Sequence, residues 1–401
     1  MSPRYERRQR GGGGALLLLI AAAALVVAVL AIFTDVFSGK KAPDKDTDSP
    51  AVTQPADGEP DGTGDADNTA KDPEGDQKGG QSGNGDGNTD KSTVTTTKPA
   101  ASNVITTDAT PYQSGGVYIV GNAGYEMYNY VGSLAEKYQS TVNAVADSLS
   151  GVSNVYAMAI PLSSSITLPD SLLSDIPGSD QAQAEKDILA GMGQNIKTVP
   201  LHDALNAHRT EYIYFRTDHH WTQLGAYYAY TAFCEAAGFE AVPLDRFETG
   251  RYDRFVGSMY TFTANYPQSQ TLLDNPDYLE YYLPIATTHA KYYADGNLQN
   301  GVPVSVVYQH LDASVSNKYQ CFIGGDTPVC VIETDVEGPV CLMLKESYGN
   351  AFAPFLTSHY SKIIVVDPRE FNRDGKPSLD LTQFAKDQGV NDLLVINYPY
   401  M

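Results

Sequence analysis

Arg216-Thr217-Asp218-His219-His220-Trp221 is the stretch on which the reading of this chain turns. It carries two of the 7 histidines and the only tryptophan. Before it, Glu211-Tyr-Ile-Tyr-Phe215 has the aromatic and β-branched content of a short strand. After it, Leu224, Tyr228 and Ala232 recur at helical spacing, with Tyr227, Thr231 and Cys234 alongside, and the pattern stops at Gly238. Titratable groups between a strand and a helix stand where an open α/β sheet puts its chemistry, at the carboxyl ends of its strands.

The flanking chain repeats this alternation. Strand patterns at Val117–Val120, Val155–Ile160 and Ile196–Val199 are separated by helical ones at Gly132–Leu149 and Asp180–Met192, with a short helix at Asp203–His208. After an irregular stretch it resumes with Cys341–Lys345, a helix over Asn350–His359, Ile363–Val366, a helix over Asp380–Gln388 and Leu393–Ile396. Near-continuous apolar strands alternating with helices predict βαβ units and a parallel sheet flanked by helices. Residues 112–401 are read as one α/β domain, interrupted over about 245–320 by an irregular and β insertion with ten tyrosines from Tyr252 to Tyr319.

The N-terminal part is of another kind. Residues 1–14 are basic, and Ala15–Phe33 are nineteen uninterrupted apolar residues, enough to cross a bilayer as a helix. Arginines before that run and Thr34-Asp35 after it predict a cytoplasmic N-terminus and an extracellular domain. Residues 38–110 contain no aromatic residue and are rich in Gly, Asp, Thr, Ser, Pro and Lys, the composition of a disordered tether. A tether of that length spans roughly 45 Å root-mean-square. The net charge of −21 argues against nucleic acid, which needs a dense basic face. An extracellular site permits disulfides; of the 4 cysteines, Cys321 and Cys330 are the pair a short loop best joins, the alternative being buried thiols.

Each candidate group has a functional and a structural reading. Asp218 and His220 fit an orienting carboxylate and a general base, or a helix cap beside a packed histidine. Ser347, between an apolar strand and a helix, is a nucleophile at the top of the sheet or an N-cap. Asn397, ending the last strand, donates to an oxyanion or makes turn contacts before Pro399. Arg369 holds an anionic substrate group or pairs with Asp367. Gly257-Ser258 and Gly324-Gly-Asp326 read as tight turns. Adjacent histidines are expected to point apart, and no further ligand cluster follows them, so neither a metal nor another cofactor is expected.

The block Tyr214-Phe-Arg-Thr-Asp218-His-His220-Trp-Thr-Gln-Leu-Gly-Ala-Tyr-Tyr resembles the bacterial DHHW proteins. Phe322-Ile-Gly-Gly-Asp326, Leu344-Lys-Glu-Ser347-Tyr-Gly-Asn-Ala-Phe-Ala-Pro-Phe355 and Val365-Val-Asp-Pro-Arg369 look like segments of the same family. Those proteins are similar to the alginate O-acetylation proteins, a branch of the SGNH hydrolase superfamily in which an Asp-x-His pair precedes the serine. The resemblance implies an SGNH-like fold in circularly permuted motif order. It implies Asp218 as orienter, His220 as base, Ser347 as nucleophile and Asn397 at the oxyanion. Where the family usually has Lys-Asp-Ser, this chain has Lys345-Glu346-Ser347.

Taken together, the sequence predicts a membrane-anchored extracellular acyltransferase or esterase acting on acyl groups of a cell-surface glycan. Its partners would be that glycan, the membrane through the N-terminal helix, and a membrane-bound acyl-donor protein. The competing class is a glycan-binding or assembly module that keeps the fold without turnover.

Overall fold

A computed structural model describes residues 104–105, 107–312 and 314–397, all within one structural unit of the chain. The basic segment, the apolar run at 15–33 and nearly all of the tether lie outside the described residues. Among the described residues no helix is long and apolar enough to cross a membrane.

The chain enters through a small antiparallel sheet, β1 (Tyr112–Ser114), β2 (Val117–Val120) and β3 (Ala123–Glu126). Helix α1 (Gly132–Ser148) leads into β4 (Asn154–Ala159), and α2 (Ser163–Ile166) and α3 (Gln181–Ala190) lead into β5 (Ile196–Val199). After α4 (His202–Asn206) come α5 (Gln223–Ala237), β6 (Thr249–Phe255), α6 (Ser258–Thr263), α7 (Gln270–Asp274) and β7 (Asp277–Tyr282). Strands β8 (Thr288–Tyr293), β9 (Val302–Val304), β10 (Val329–Thr334) and β11 (Val340–Lys345) follow. The chain then runs through α8 (Tyr348–Leu356), β12 (Lys362–Val366), α9 (Leu381–Asp387) and β13 (Asp392–Asn397).

The main sheet has 8 strands in the order β5-β4-β13-β11-β12-β10-β8-β9. The five from β5 to β12 are parallel; β10, β8 and β9 are added antiparallel. The expectation of a parallel sheet therefore holds for its central part, and the whole is mixed. Two sequence assignments change with it and one is added. Val117–Val120 is a strand, but of the small antiparallel sheet. Val329–Thr334, given no assignment from the sequence, is β10. Part of the stretch read as an insertion, β8 and β9, extends the main sheet, whereas β6 and β7 form a separate two-stranded ribbon.

Alternation along the buried strands divides the core into two layers. Val155, Ala157, Leu342, Leu344, Leu393 and Val395 face α1 and α9 in an aliphatic layer with Val142, Val145 and Leu381. Tyr156, Met158, Met343, Leu394 and Ile396 face α5 and α8, against Tyr230, Phe233, Phe352 and Phe355. Helix α5 starts at Thr222, whose Oγ1 accepts from Gly225 N–H at 3.3 Å, and ends at Gly238 in the left-handed region with φ +80°. All 4 cysteines are buried free thiols, so the structure takes the second of the two readings offered for Cys321 and Cys330.

Candidate active site

Glu211–Phe215 does not form a strand of the sheet. Its chain folds back: Ile213 N–H bonds Glu211 O at 2.8 Å, Thr222 N–H bonds Ile213 O at 2.9 Å, and Tyr214 bridges to Trp221. Several of its backbone groups are thus bonded within the loop instead of to a sheet edge. Asp218 and His220 thus reach the carboxyl edge of the sheet on a loop. That loop is anchored by Asp277 at the start of β7, a buried carboxylate that accepts from Arg216 N–H (3.0 Å), Thr217 N–H (2.7 Å) and Thr217 Oγ1 (2.6 Å), and from the Tyr212 hydroxyl.

Asp218 is held from two sides. Its Oδ1 lies 2.6 Å from His220 Nδ1 and 3.0 Å from His220 N, and its Oδ2 accepts from Ser258 N–H at 2.8 Å. Gly257 makes this approach feasible: a Cβ there would lie 2.3 Å from both Cβ and Oδ2 of Asp218. Burial acts to raise the Asp218 pKa, but His220, His219 and the Ser258 amide outweigh it and hold the carboxyl well below its usual range. The Gly257-Ser258 turn, read from sequence as punctuation, is therefore part of the site.

His220 Nε2 lies 2.6 Å from Ser347 Oγ. With the Nδ1 proton directed at Asp218, Nε2 is the acceptor for the serine hydroxyl. The ring is fixed between Tyr319, stacked at 3.9 Å and 7°, and His219 at 3.7 Å and 36°. Ser347 follows β11 and precedes α8, as the sequence predicts, and its side chain makes no capping bond to the helix. The cap reading of Ser347 gives way to the bond with His220. Ser347 is half-buried while Asp218 and His220 are buried, so the serine is the most solvent-reachable residue of the three.

Other predicted residues are placed differently. Alternation along β13 puts Asn397 on the α1 face with Val395, where its Oδ1 accepts from the Tyr138 hydroxyl at 2.8 Å. Its amide oxygen is thereby bonded to α1. Arg369 follows the pairing alternative: Nε and Nη2 bond Asp367 at 2.9 and 2.6 Å, and Nη2 also bonds Asp326 at 2.7 Å. The second carboxylate was not foreseen. Asp326 also takes Lys345 Nζ at 2.8 Å and Asn350 Nδ2 at 2.9 Å. Lys345, fully buried beside Ser347, is a cation that needs such a partner. Burial acts to raise the Asp326 pKa, but Lys345 and Arg369 hold its carboxyl well below the ordinary range. Gly324 and Gly325, with φ +77° and +89°, turn the chain that delivers Asp326.

Glu346, also unmarked from sequence, is buried next to Ser347, its Oε2 3.1 Å from Tyr348 N and 3.4 Å from Ser347 Oγ. Burial pushes its carboxyl up to about 7, against the opposing Tyr348 amide and Arg369. The two histidines do not point apart. Asp218, His219 and His220 offer donor atoms within 4.8 Å of one another. Those of Asp218 and His220 are engaged with each other and with Ser347, and His219 Nδ1 lies 2.5 Å from Ser258 Oγ, so a metal bound there would displace the Ser347–His220–Asp218 relay. Chemically, the three groups can deprotonate a serine hydroxyl and stabilise the resulting imidazolium.

The DHHW protein family profile matches residues 87–366. A crystal structure of a DHHW family protein from Eubacterium siraeum is 31% identical, with TM-score 0.61, covering 72% of this chain and 92% of that one. Bacillus cereus PatB1, solved with a sulfonyl adduct, shares the fold at 18% identity and TM-score 0.55, covering 70% of this chain and 94% of its own. The O-acetyltransferase domain of Pseudomonas putida AlgJ aligns at 16% identity and TM-score 0.40, over 72% of this chain and 91% of its own. Among curated proteins no relative matches. The length of the family match and the identity to the Eubacterium siraeum protein settle the family: this chain belongs to the DHHW family.

Proposed function

We propose that this protein is a serine-dependent acyltransferase or esterase that acts on acyl groups, acetyl foremost, of a cell-surface polysaccharide. The observation that carries the reading is the unbroken relay of Ser347 Oγ, His220 and Asp218, with both contacts at 2.6 Å and the carboxylate buried. In the first step Ser347 Oγ attacks the acyl carbonyl while His220 Nε2 takes its proton. The imidazolium, stabilised by Asp218, then protonates the departing oxygen, leaving an acyl ester on Ser347. A sugar hydroxyl or water, deprotonated by the same His220, resolves that ester. The first outcome is transfer and the second hydrolysis.

The apolar run at Ala15–Phe33, with arginines before it, supports the further reading that the domain is carried outside the membrane on a tether at 38–110. Protease added to intact cells should then release the domain, and full protection would contradict that topology. The function itself is tested by incubating the protein with an acetyl ester, with and without glycan acceptors. Acetate release or acetyl transfer that disappears in Ser347→Ala supports it. Turnover that survives in Ser347→Ala, or none in the wild type, sinks it and favours a binding module on the same fold.

A further inference from the structure

His220 must hold a positive charge at the moment it takes the Ser347 proton, and its surroundings at that moment set part of the barrier. The residue is 5% exposed, so water contributes little to solvating that charge. Both ring nitrogens are bonded, Nδ1 to Asp218 and Nε2 to Ser347, and the bonds of imidazole nitrogens lie near the ring plane. The two ring faces are what remains. Tyr319 covers one of them, with centroids 3.9 Å apart at 7°, and His219 the other at 3.7 Å and 36°. Stacking alone is not a charge device in this chain. His208 lies on Tyr228 at 3.5 Å and 9°, but its side chain is 35% exposed and water reaches it.

The Tyr319 ring is held in place for this contact. It sits on the short helical turn Lys318–Cys321, where Asn317 Oδ1 accepts from Tyr319 N–H at 3.1 Å. Phe322 and Phe215 pack against the buried ring in T-shaped geometry, at 5.2 Å and 6.3 Å. Just beyond the turn, the fully buried Ile323 has φ +47°, backbone that a β-branched residue adopts only under strain. Such strain persists where the surroundings over-determine the chain. Here Tyr308 N–H bonds Cys321 O at 2.8 Å and Ile323 N–H bonds Val306 O at 2.9 Å. Burial holds the Tyr319 phenol well above its ordinary range, so the ring is neutral when His220 is charged. His219 is kept neutral too, since burial first and His220 second lower its pKa. A cation over a tyrosine face is attracted by the ring quadrupole, and more strongly where water is excluded.

Resting on the acyl-transfer reading above, we propose that Tyr319 is a positioning residue for His220 whose aromatic face stabilises the imidazolium formed as Ser347 is deprotonated, while Asp218 does so in the ring plane. The attraction strengthens only as the proton moves, so its loss should lower kcat and kcat/KM together and leave KM unchanged. Two rates read it in the full chain. One is acetyl-ester turnover; the other is labelling of Ser347 by phenylmethylsulfonyl fluoride, which needs His220 but no acyl group. Tyr319→Leu should slow both by about 30-fold, the scale of a desolvated cation–π contact. Tyr319→Phe should stay within about threefold, since Tyr348 O keeps its bond from Trp221 Nε1 at 3.0 Å. Placing 4-fluoro- and then 3,4,5-trifluorophenylalanine at position 319 withdraws electron density from the ring face at nearly constant shape. Both rates should fall stepwise from the phenylalanine value, by about tenfold at the trifluoro ring, with the melting temperature unchanged. If the leucine variant does not fold, the fluorinated series decides. The proposal is overturned if the trifluoro ring reacts as phenylalanine does, or if folded Tyr319→Leu keeps the wild-type rates. Labelling without ester turnover in the wild type would count against acyl transfer alone, and the labelling rates would still judge Tyr319. Absence of both in the wild type would overturn both readings.

Discussion

Two serine–histidine–aspartate groupings in different regions of the described residues differ in the third member. At the carboxyl edge of the sheet, Ser347 Oγ and His220 Nε2 are 2.6 Å apart and Asp218 closes the relay at 2.6 Å. Near α4, Ser165 Oγ and His202 Nε2 are 2.8 Å apart, almost as close, beside a cavity of ≈ 330 Å³ lined in part by Glu185, Lys186, His202 and Asp203. There the nearest carboxylate oxygen among the described residues, Asp203 Oδ1, is 3.5 Å from His202 Nδ1, which has no hydrogen-bond partner among them. The Asp203 side chain is 95% exposed and that of Asp218 4%. A solvated carboxylate neither fixes a tautomer nor gains from low dielectric, so a serine touching a histidine is not by itself a nucleophile. Proximity is common to both regions; preorganisation belongs to one.

That contrast is broken most sharply by removing each serine. Ser347→Ala should lower ester turnover by about 10⁶-fold, as loss of a triad nucleophile does, while Ser165→Ala leaves kcat/KM unchanged. Equal effects in steady-state assays would erase the distinction. Next come the carboxylates. Asp218→Asn should cost about 10⁴-fold through the wrong tautomer, with little change in melting temperature, whereas Asp203→Asn should be silent. Gly257→Ala tests how Asp218 is held, because the added Cβ would need the space of its carboxylate. A loss of about 1–3 kcal/mol in denaturant unfolding is expected, together with reduced kcat.

The last test concerns Glu346, the residue beside Ser347. Burial raises the Glu346 pKa from 4.5 to about 7, so the fold favours its protonated form. The stability that this raised pKa contributes is fully present below about 4.5 and is lost as pH rises through about 7. Glu346→Gln mimics the protonated form. The wild type should therefore weaken relative to the variant over that window, by at most about 1.4 kcal/mol per pH unit. Parallel stability curves for the two proteins would contradict this.

The relay was legible because its local signals are strong. Asp218-x-His220 lies before a capped helix, and Ser347 lies between an apolar strand and a helix. What holds the relay in place was not legible. Asp277, Gly257-Ser258 and Tyr319 come from 37 to 101 residues beyond Asp218–His220, in a stretch with no clear periodicity, and nothing local marks them as its supports. Most of the tyrosines there pack the fold; Tyr319 lies on His220 and is buried. Phe262, in α6, is an exposed aromatic with its ring centroid 6.0 Å from that of His219. The mixed sheet was hidden for a related reason. Val329–Ile332 is a continuous apolar run, and such a run encodes burial on both faces but not direction, so its antiparallel pairing with β12 left no trace in the pattern. Lys345 and Glu346 look like the polar end of a strand, yet both are buried, and the partner that makes Lys345 tolerable, Asp326, comes from a glycine turn 19 residues earlier.

The central claim is that Ser347 is an activated nucleophile, and it is met most directly by a sulfonyl fluoride. Such a reagent labels a serine only where a neighbouring base activates its hydroxyl and the reagent can reach it. Intact-mass and peptide mass spectrometry should find one adduct, on Ser347, lost in His220→Ala and retained in His202→Ala. No adduct, an adduct on Ser165, or labelling of Ser347 that persists without His220 would contradict the account.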